Sequence, residues 1–324
     1  MRRFNHVLAG LAAIATAAGA ISASGAELAV NPIRIVVPFA AGGAADSVAR
    51  MVGQQVAERS GKTVVIDNRP GAGSAVGTEL ASRAAPDGGT LLVVGNALIM
   101  NKLLRPNLAY DPVTSFEPVC MLVDSPGVVV VNASSEFQTL GQLIDGARAN
   151  PGKLSYGAVG PASATQLAGE MLKGAANVDI TYAPFPGAAP AITALLGNHI
   201  TAAVALYSEV APQIKAGRLR ALAVTSRERF SALRDVPTVA ESGYKDYEMS
   251  IWVGLLAPAK TSKETLGQLT AMVSSALAVP ELNARLVAQE LSPGGPCGAD
   301  FGALIQRMLD KYGRVIKAAN IKLE

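Results

Sequence analysis

The residues able to do covalent chemistry are few. His199 is the one histidine beyond the first 26 residues, and Cys120 and Cys297 are the two cysteines. A Ser-His-acid or Cys-His site needs an imidazole base, so any such site would have to use His199. A hydrolase built on Ser47, Ser74 or Ser163 stands or falls with that residue. Its place after Leu195-Leu196-Gly197-Asn198 is the end of a helical pattern, where an imidazole is favoured by the helix dipole. Metal centres need several His, Cys or clustered acidic ligands, and none cluster here. The sequence therefore nominates no catalytic residue, no metal ligand and no cofactor.

What it offers instead is glycine at the starts of helices. Gly71-Ala72-Gly73-Ser74-Ala75-Val76-Gly77 has one residue too many for the dinucleotide fingerprint, and no Gly-Lys-Ser or Gly-Lys-Thr marks a phosphate-binding Walker loop. Helix N-termini preceded by small residues still present unpaired backbone N–H groups and a partial positive charge, and the missing side chains let an anion approach. Such loops can hold a carboxylate without arginine. Three or four charge-assisted hydrogen bonds of about 1.5–3 kcal/mol each leave, after ordering costs, binding near −8 kcal/mol, roughly micromolar.

The elements that must carry these loops alternate. Ile33 to Phe39 is a β-rich run, followed by Ala40-Ala41-Gly42-Gly43 and a helical pattern with Val48, Met51, Val52 and Val56 on one face. Asp46, near the start of that helix, is placed to cap it. Strand, loop and helix recur at Thr63 to Ile66, then Pro70 to Ser74, then a helix through Leu80. They recur again at Ser155-Tyr156-Gly157 before a helix carrying Leu167, Met171 and Leu172, and at Ile180 to Phe185 before one carrying Ile192, Leu195 and Leu196. This alternation predicts parallel sheets covered by helices. Between the pairs, Phe116 to Asn132 holds two apolar runs around Asp124-Ser125-Pro126-Gly127, which suits a crossing between lobes. A second candidate crossing is Leu219 to Thr225, after which the Trp252 to Pro258 strand returns to the first lobe. Phe301, Leu304, Ile305, Met308, Leu309 and Tyr312 define a terminal amphipathic helix that packs as core. Trp252, in an apolar strand, reads as core.

Arg2 and Arg3 before the apolar run Val7 to Ile21 read as an export signal, residues 1–26, with the cleavage site after Ser24-Gly25-Ala26. No later segment has the roughly 20 uninterrupted apolar residues of a membrane span, and no cysteine after the cut suggests a lipid anchor. Without the two arginines the chain is nearly neutral, its charges scattered, which argues against nucleic acid as a partner. About 300 residues exceed one core and predict two domains. For Cys120 and Cys297 a disulfide and two buried thiols both remain open. Without a heptad run, a monomer is the default.

The ordered motifs resemble a known family. Ile35-Val36-Val37-Pro38-Phe39 with Gly42-Gly43 and Asp46, Asp67-Asn68-Arg69-Pro70-Gly71-Ala72-Gly73, Pro86-Asp87-Gly88, Tyr110-Asp111-Pro112, Asn150-Pro151-Gly152, Leu167-Ala168-Gly169-Glu170, Gly217 to Val224 and Val236-Pro237-Thr238 are similar to the Bug family of extracytoplasmic solute receptors. These are the binding proteins of tripartite tricarboxylate transporters. The resemblance covers the whole mature chain. It implies an α/β, two-lobed periplasmic binding protein of type II, each lobe a mostly parallel sheet flanked by helices, with two crossing strands. Residues 27–123 and 226–324 form the first lobe and 124–225 the second.

On the first lobe it implies that Phe39, Ala40, Gly42, Gly43, Ala44 and Asp46, with Gly71, Ala72, Gly73 and Ser74, and Asn96 beyond them, face one ligand carboxylate. On the second it implies Gly160, Ala162, Ser163, Ala164 and Thr165, the strand end Pro184-Phe185, and Leu206 and Tyr207. Departures bear on the ligand. Gln166 stands where the family commonly has histidine, and Ala205 and Leu206 where an aspartate and asparagine are frequent. Polar groups are thinned, which points to a carboxylate with an apolar or aromatic body. The implied partners are the large and small membrane subunits of such a transporter or, alternatively, a membrane sensor kinase, in the periplasm.

Overall fold

A computed structural model describes Leu28 and residues 30–105, 107–160 and 163–322. The export signal and Ala162 lie outside the described residues. In chain order the regular elements are β1 (Ile33–Val37), α1 (Ala44–Ser60), β2 (Val64–Asn68), α2 (Ala75–Ser82), β3 (Thr90–Gly95), α3 (Ala97–Leu104) and β4 (Phe116–Asn132). There follow α4 (Leu140–Ala149), β5 (Ser155–Val159), α5 (Ala164–Ala176), β6 (Thr181–Phe185), α6 (Ala188–Leu196), β7 (Ala202–Leu206), α7 (Tyr207–Lys215) and β8 (Leu219–Val224). The chain ends with β9 (Ser250–Pro258), α8 (Lys263–Leu277), α9 (Pro280–Val287), β10 (Ser292–Pro293) and α10 (Gly298–Ala318).

The two apolar runs of Phe116–Asn132 form one strand, and that strand belongs to two sheets. Its first half pairs antiparallel with β9, as far as Pro126 opposite Ser250. Its second half pairs antiparallel with β7, starting at Gly127 opposite Leu206, and with β8, starting at Val128 opposite Val224. In the first sheet β1 is parallel to both β2 and β3, while β9 lies antiparallel between β3 and β4. In the second, β5 is parallel to β6 and to β7. Strand direction then fixes the architecture. β1, β2 and β3 run with β4 toward residues 124–127, and β5, β6 and β7 run against it toward the same point. The C-terminal ends of both parallel sets face each other, and there the helix starts converge. This is the α/β, two-sheet arrangement expected from the alternation.

Burial follows the patterning. One face of the first sheet is covered by α1, α8 and α9, with Ile33, Ile35, Val48, Val52 and Leu269 in that core. The other face packs on α3 and α10 around Trp252 and Phe301, whose rings meet edge to face at 5.3 Å, and this core continues into the second sheet under α5. Phe301, Ile305, Met308 and Tyr312 of α10 are buried as predicted. The outer face of the second sheet is closed by α6 and α7.

The return crossing is placed differently from the reading of Leu219 to Thr225. β8 lies wholly in the second sheet. The following stretch stays with it: Phe230 is buried in that sheet's core with Leu233 and Val236 packed against it, and Tyr247 Oη donates to Ala168 O of α5 at 2.9 Å. The chain recrosses at Met249 and Ser250. There Thr225 N donates to Gly127 O at 2.8 Å, Met249 N donates to Thr225 O at 2.8 Å, and Thr225 Oγ1 donates to Met249 O at 2.5 Å. A Cβ on Gly127 would sit 2.8 Å from Thr225 Oγ1, so glycine is what lets the two crossings touch.

Cys120 of β4 and Cys297, at the start of α10, form a disulfide across 177 residues of sequence. A bridge closing so long a loop stabilises by about 2–4 kcal/mol, chiefly by restricting the unfolded chain. The double variant Cys120→Ala, Cys297→Ala should lose that much in urea unfolding, and reductant should then have no further effect on it.

Candidate functional site

The first wall of the cleft is built from two loops whose shape is held by side chains. In the β1–α1 loop, Gly42 adopts a left-handed backbone (φ 86°). Asp46, 2% exposed, reaches back so that its Oδ2 accepts from Gly42 N at 2.8 Å and from Arg50 Nε at 3.0 Å. Its Oδ1 accepts from Asn68 Nδ2 at 2.9 Å, and that amide also reaches Phe39 O at 3.2 Å. Both oxygens of Asp46 are thus committed to the protein. The hydrogen bond from Arg50, with those from Gly42 and Asn68, outweighs burial and holds its pKa down at about 2. The helix amide of Ser47 is bonded to Gly43 O at 2.9 Å. The amides of Ala44, Ala45 and Asp46 precede the helical ladder and lie at the positive end of α1.

The second loop, Gly71 to Ser74, has four successive positive φ values of 137°, 47°, 61° and 80°. A backbone so folded requires small residues. Asn101 of α3 anchors it, with Nδ2 donating to Gly73 O at 2.8 Å and Ser74 Oγ at 3.1 Å. Arg105 Nε in turn donates to Asn101 Oδ1 at 2.9 Å. Asn96 is also engaged: its Nδ2 donates to Ser250 O at 3.1 Å and its Oδ1 accepts from Trp252 N at 3.1 Å, tying the end of β3 to the returning strand.

On the opposite wall Gly160 N donates to Phe185 O at 2.8 Å, joining the ends of β5 and β6. Ser163 caps α5, accepting from Gln166 N at 3.0 Å and donating to Val159 O, while Thr165 Oγ1 accepts from Val159 N at 3.2 Å. Ala164 is half-buried in the first turn, Phe185 is half-buried and Pro184 is exposed. Leu206 and Tyr207 part company. Leu206 is half-buried at the strand end, whereas Tyr207 is 1% exposed with its ring against Phe230 at 5.1 Å in the outer core.

Position also separates the hydrolytic candidates. β6 ends at the cleft and α6 leads away from it, so His199, exposed beyond the far end of that helix, lies more than a helix length from the strand ends. Nine helical residues span about 13 Å. Ser47 Oγ donates to Gln289 Oε1 at 3.2 Å, and Ser74 and Ser163 are occupied as described. Among the described residues no group of three or more His, Cys, Asp or Glu is placed to hold a metal, and no helix is long and apolar enough to cross a membrane. A cavity of about 1200 Å³ opens elsewhere, at the far ends of α5 and α10 beside residues 243–247, and contains none of the residues that the sequence nominated.

Sequence reasoning missed Asn101 and Glu209. Glu209, in the first turn of α7, turns back so that Oε2 accepts from Leu206 N at 3.0 Å, which places a carboxylate at the second wall. Burial raises its pKa against that hydrogen bond. Asn68 lies inside the Asp67-to-Gly73 motif, and that motif was the available signal for it.

The chain matches the model of the tripartite tricarboxylate transporter family receptor over residues 48–321. It belongs to that receptor family. The receptor is 30% identical over 313 residues to Protein BugT of Bordetella pertussis, covering 96% of each chain. Its structure is similar to that of R. palustris Rpa4515 with adipate, with a TM-score of 0.72 and 30% identity over 90% of this chain and 97% of that one. It is also similar to MatC from Rhodopseudomonas palustris with bound malate, with a TM-score of 0.69 and 28% identity over 89% of this chain and 99% of that one. This is a Bug-type, two-lobed solute-binding receptor and not an enzyme.

Asp46→Asn should loosen the receptor's first loop and destabilise it by on the order of 1–2 kcal/mol, allowing for the exposed Arg50 partner. The folded pKa lies below the unfolded one, so the contribution is full above about pH 4 and is lost as pH falls through about 2. Urea titrations of both proteins at neutral pH and near pH 3 should show the gap narrowing.

Proposed function

We propose that this receptor captures a small carboxylate between its lobes in the periplasm and delivers it to the large and small membrane subunits of a tripartite tricarboxylate transporter. The observation that carries this reading is the first wall: two small-residue loops at helix starts, rigidly held by Asp46 and Asn101, with their backbone free of bulky side chains. The likeness to proteins holding adipate and malate supports a carboxylate as ligand. The second wall is apolar at Leu206, Pro184 and Phe185, which favours an apolar or aromatic body.

The lobes of this reading are residues 28–123 with 250–322, and 124–249, within the described residues. The second boundary is moved from 225 because Phe230, Leu233, Val236 and Tyr247 pack with the second sheet. The hinge is the paired crossing at Gly127, Thr225 and Met249. Ligand groups touching both walls stabilise the closed pair, and the closed form is what a membrane partner reads. Of the candidate residues, Asp46, Asn96, Ser163 and Thr165 shape the walls, while the amides of Gly43, Ala44, Gly71 to Gly73 and Ala164 contact the ligand.

Calorimetry against mono-, di- and tricarboxylates and aromatic acids tests the reading. One class should bind near micromolar, and Gly43→Leu should abolish binding without unfolding. Gly43 has an ordinary φ of −76°, and its Cβ would meet only Ala40 O at 3.5 Å, so the substitution fills the cleft and spares the fold. Binding only of uncharged compounds would contradict the proposal.

Glu209 gives the receptor a pH dependence. Its carboxyl gains charge as pH rises, and because burial raises its pKa it does so at higher pH than an ordinary glutamate; a negative charge across the cleft repels a bound anion. A solvent-screened repulsion on the order of 0.5 kcal/mol is about a twofold change in affinity. Carboxylate affinity should therefore fall by about that factor as pH rises past the ordinary carboxylate range and Glu209 ionises, and should stay flat in Glu209→Gln.

A further inference from the structure

Among the described residues, one ion pair joins the two sheets beside the crossing strands. Lys215 Nζ, at the end of α7 on the second sheet, is 2.7 Å from Glu290 Oε1, which lies between α9 and β10. β10 belongs to the first sheet, with Ser292 opposite Asp124 on β4. Glu290 is therefore only two residues from β10, which pairs with β4 just before the hinge.

Its presentation is unusual. Glu290 closes α9 in the left-handed conformation (φ 59°), with Glu290 N donating to Val287 O at 2.9 Å and Leu291 N to Leu286 O at 3.2 Å. This is the helix-ending arrangement in which glycine is the favoured residue, because a side chain there crowds its own backbone. The preceding residue fixes the turn to α1, with Gln289 Oε1 accepting from Ser47 Oγ and Gln289 Nε2 3.7 Å from Met51 Sδ. α1 begins at the first ligand loop. The glutamate is thus held out toward α7 by a turn that is locked to the cleft wall, and its charge also bears on Tyr207 at the start of α7. Its side chain is 22% exposed and that of Lys215 64%, so the pair is reached by salt.

We propose that Lys215 and Glu290 form an electrostatic strap that holds the interlobe angle near the value seen here, and that it must part for the lobes to swing wider. The inference rests on the lobe movement of the proposed function and adds to it a specific restraint. Opening is then sensitive to ionic strength, and the cost of a non-glycine residue in the turn is borne for the charge.

Small-angle scattering from the mature protein without added ligand, at low and high salt, tests the strap. Lys215→Met and Glu290→Gly should each shift the radius of gyration to a larger value at low salt and remove its salt dependence. The exchanged pair, Lys215→Glu with Glu290→Lys, should return the profile to that of the wild type. Glu290→Gly also relieves the left-handed position, so its thermal stability should be kept or raised, which separates opening from unfolding. Single variants that superimpose on the wild type at both salt levels would overturn the strap, as would an exchanged pair that stays open. Failure to bind carboxylates would leave the scattering differences in place, so the two ideas fail separately.

Discussion

The polarity of one strand governs the receptor. Because β4 runs through both sheets and meets β7 and β8 antiparallel, the parallel strands of each sheet end at residues 124–127. Helix starts follow strand ends, so the positive ends of α1, α2, α5 and α6 are brought around a single space by connectivity alone. Neither sheet needs a charged side chain in that space to attract an anion. The same geometry forces both crossings through a narrow waist, where Gly127 has no room for a side chain beside Thr225.

A site made of backbone must be held still by something else. Here the loops are held by side chains bonded to the protein itself: Asp46 with Arg50 and Asn68 on one loop, Asn101 with Arg105 on the other, and Ser163 and Thr165 on the opposite wall. These polar groups are largely satisfied within the protein, so on the proposed reading they contribute order rather than direct contact. A pre-ordered cradle lowers the entropy lost on binding. On the proposed reading it lets modest hydrogen bonds from amides retain a small solute in water.

Much of this was legible where local chemistry and fold agree. The apolar run Ile33 to Val37 followed by glycines and an amphipathic helix has one reading, and the 3.6-residue stripe from Phe301 to Tyr312 has another. Residues 226–249 were not legible, because Phe230, Leu233, Val236 and Tyr247 follow no regular period and carry no sign of the sheet they cover. Tyr207 sits at a strand-to-helix junction, where a change of one residue in the junction turns a side chain from cleft to core. Asn101 lies 28 residues from Gly73 in sequence, and only tertiary packing brings α3 to that loop. The Cys120–Cys297 bond joins residues too distant in sequence for spacing to decide between a bridge and free thiols.

On the proposed reading, backbone amides at helix starts recognise the charge of a carboxylate. The direct measurement is calorimetry with the tightest-binding carboxylate and with its primary amide, which keeps the size and shape and removes the charge. Losing two charge-assisted bonds should weaken the amide by about a hundredfold or more. Equal affinity for the two compounds would show that the amides do not recognise the charge.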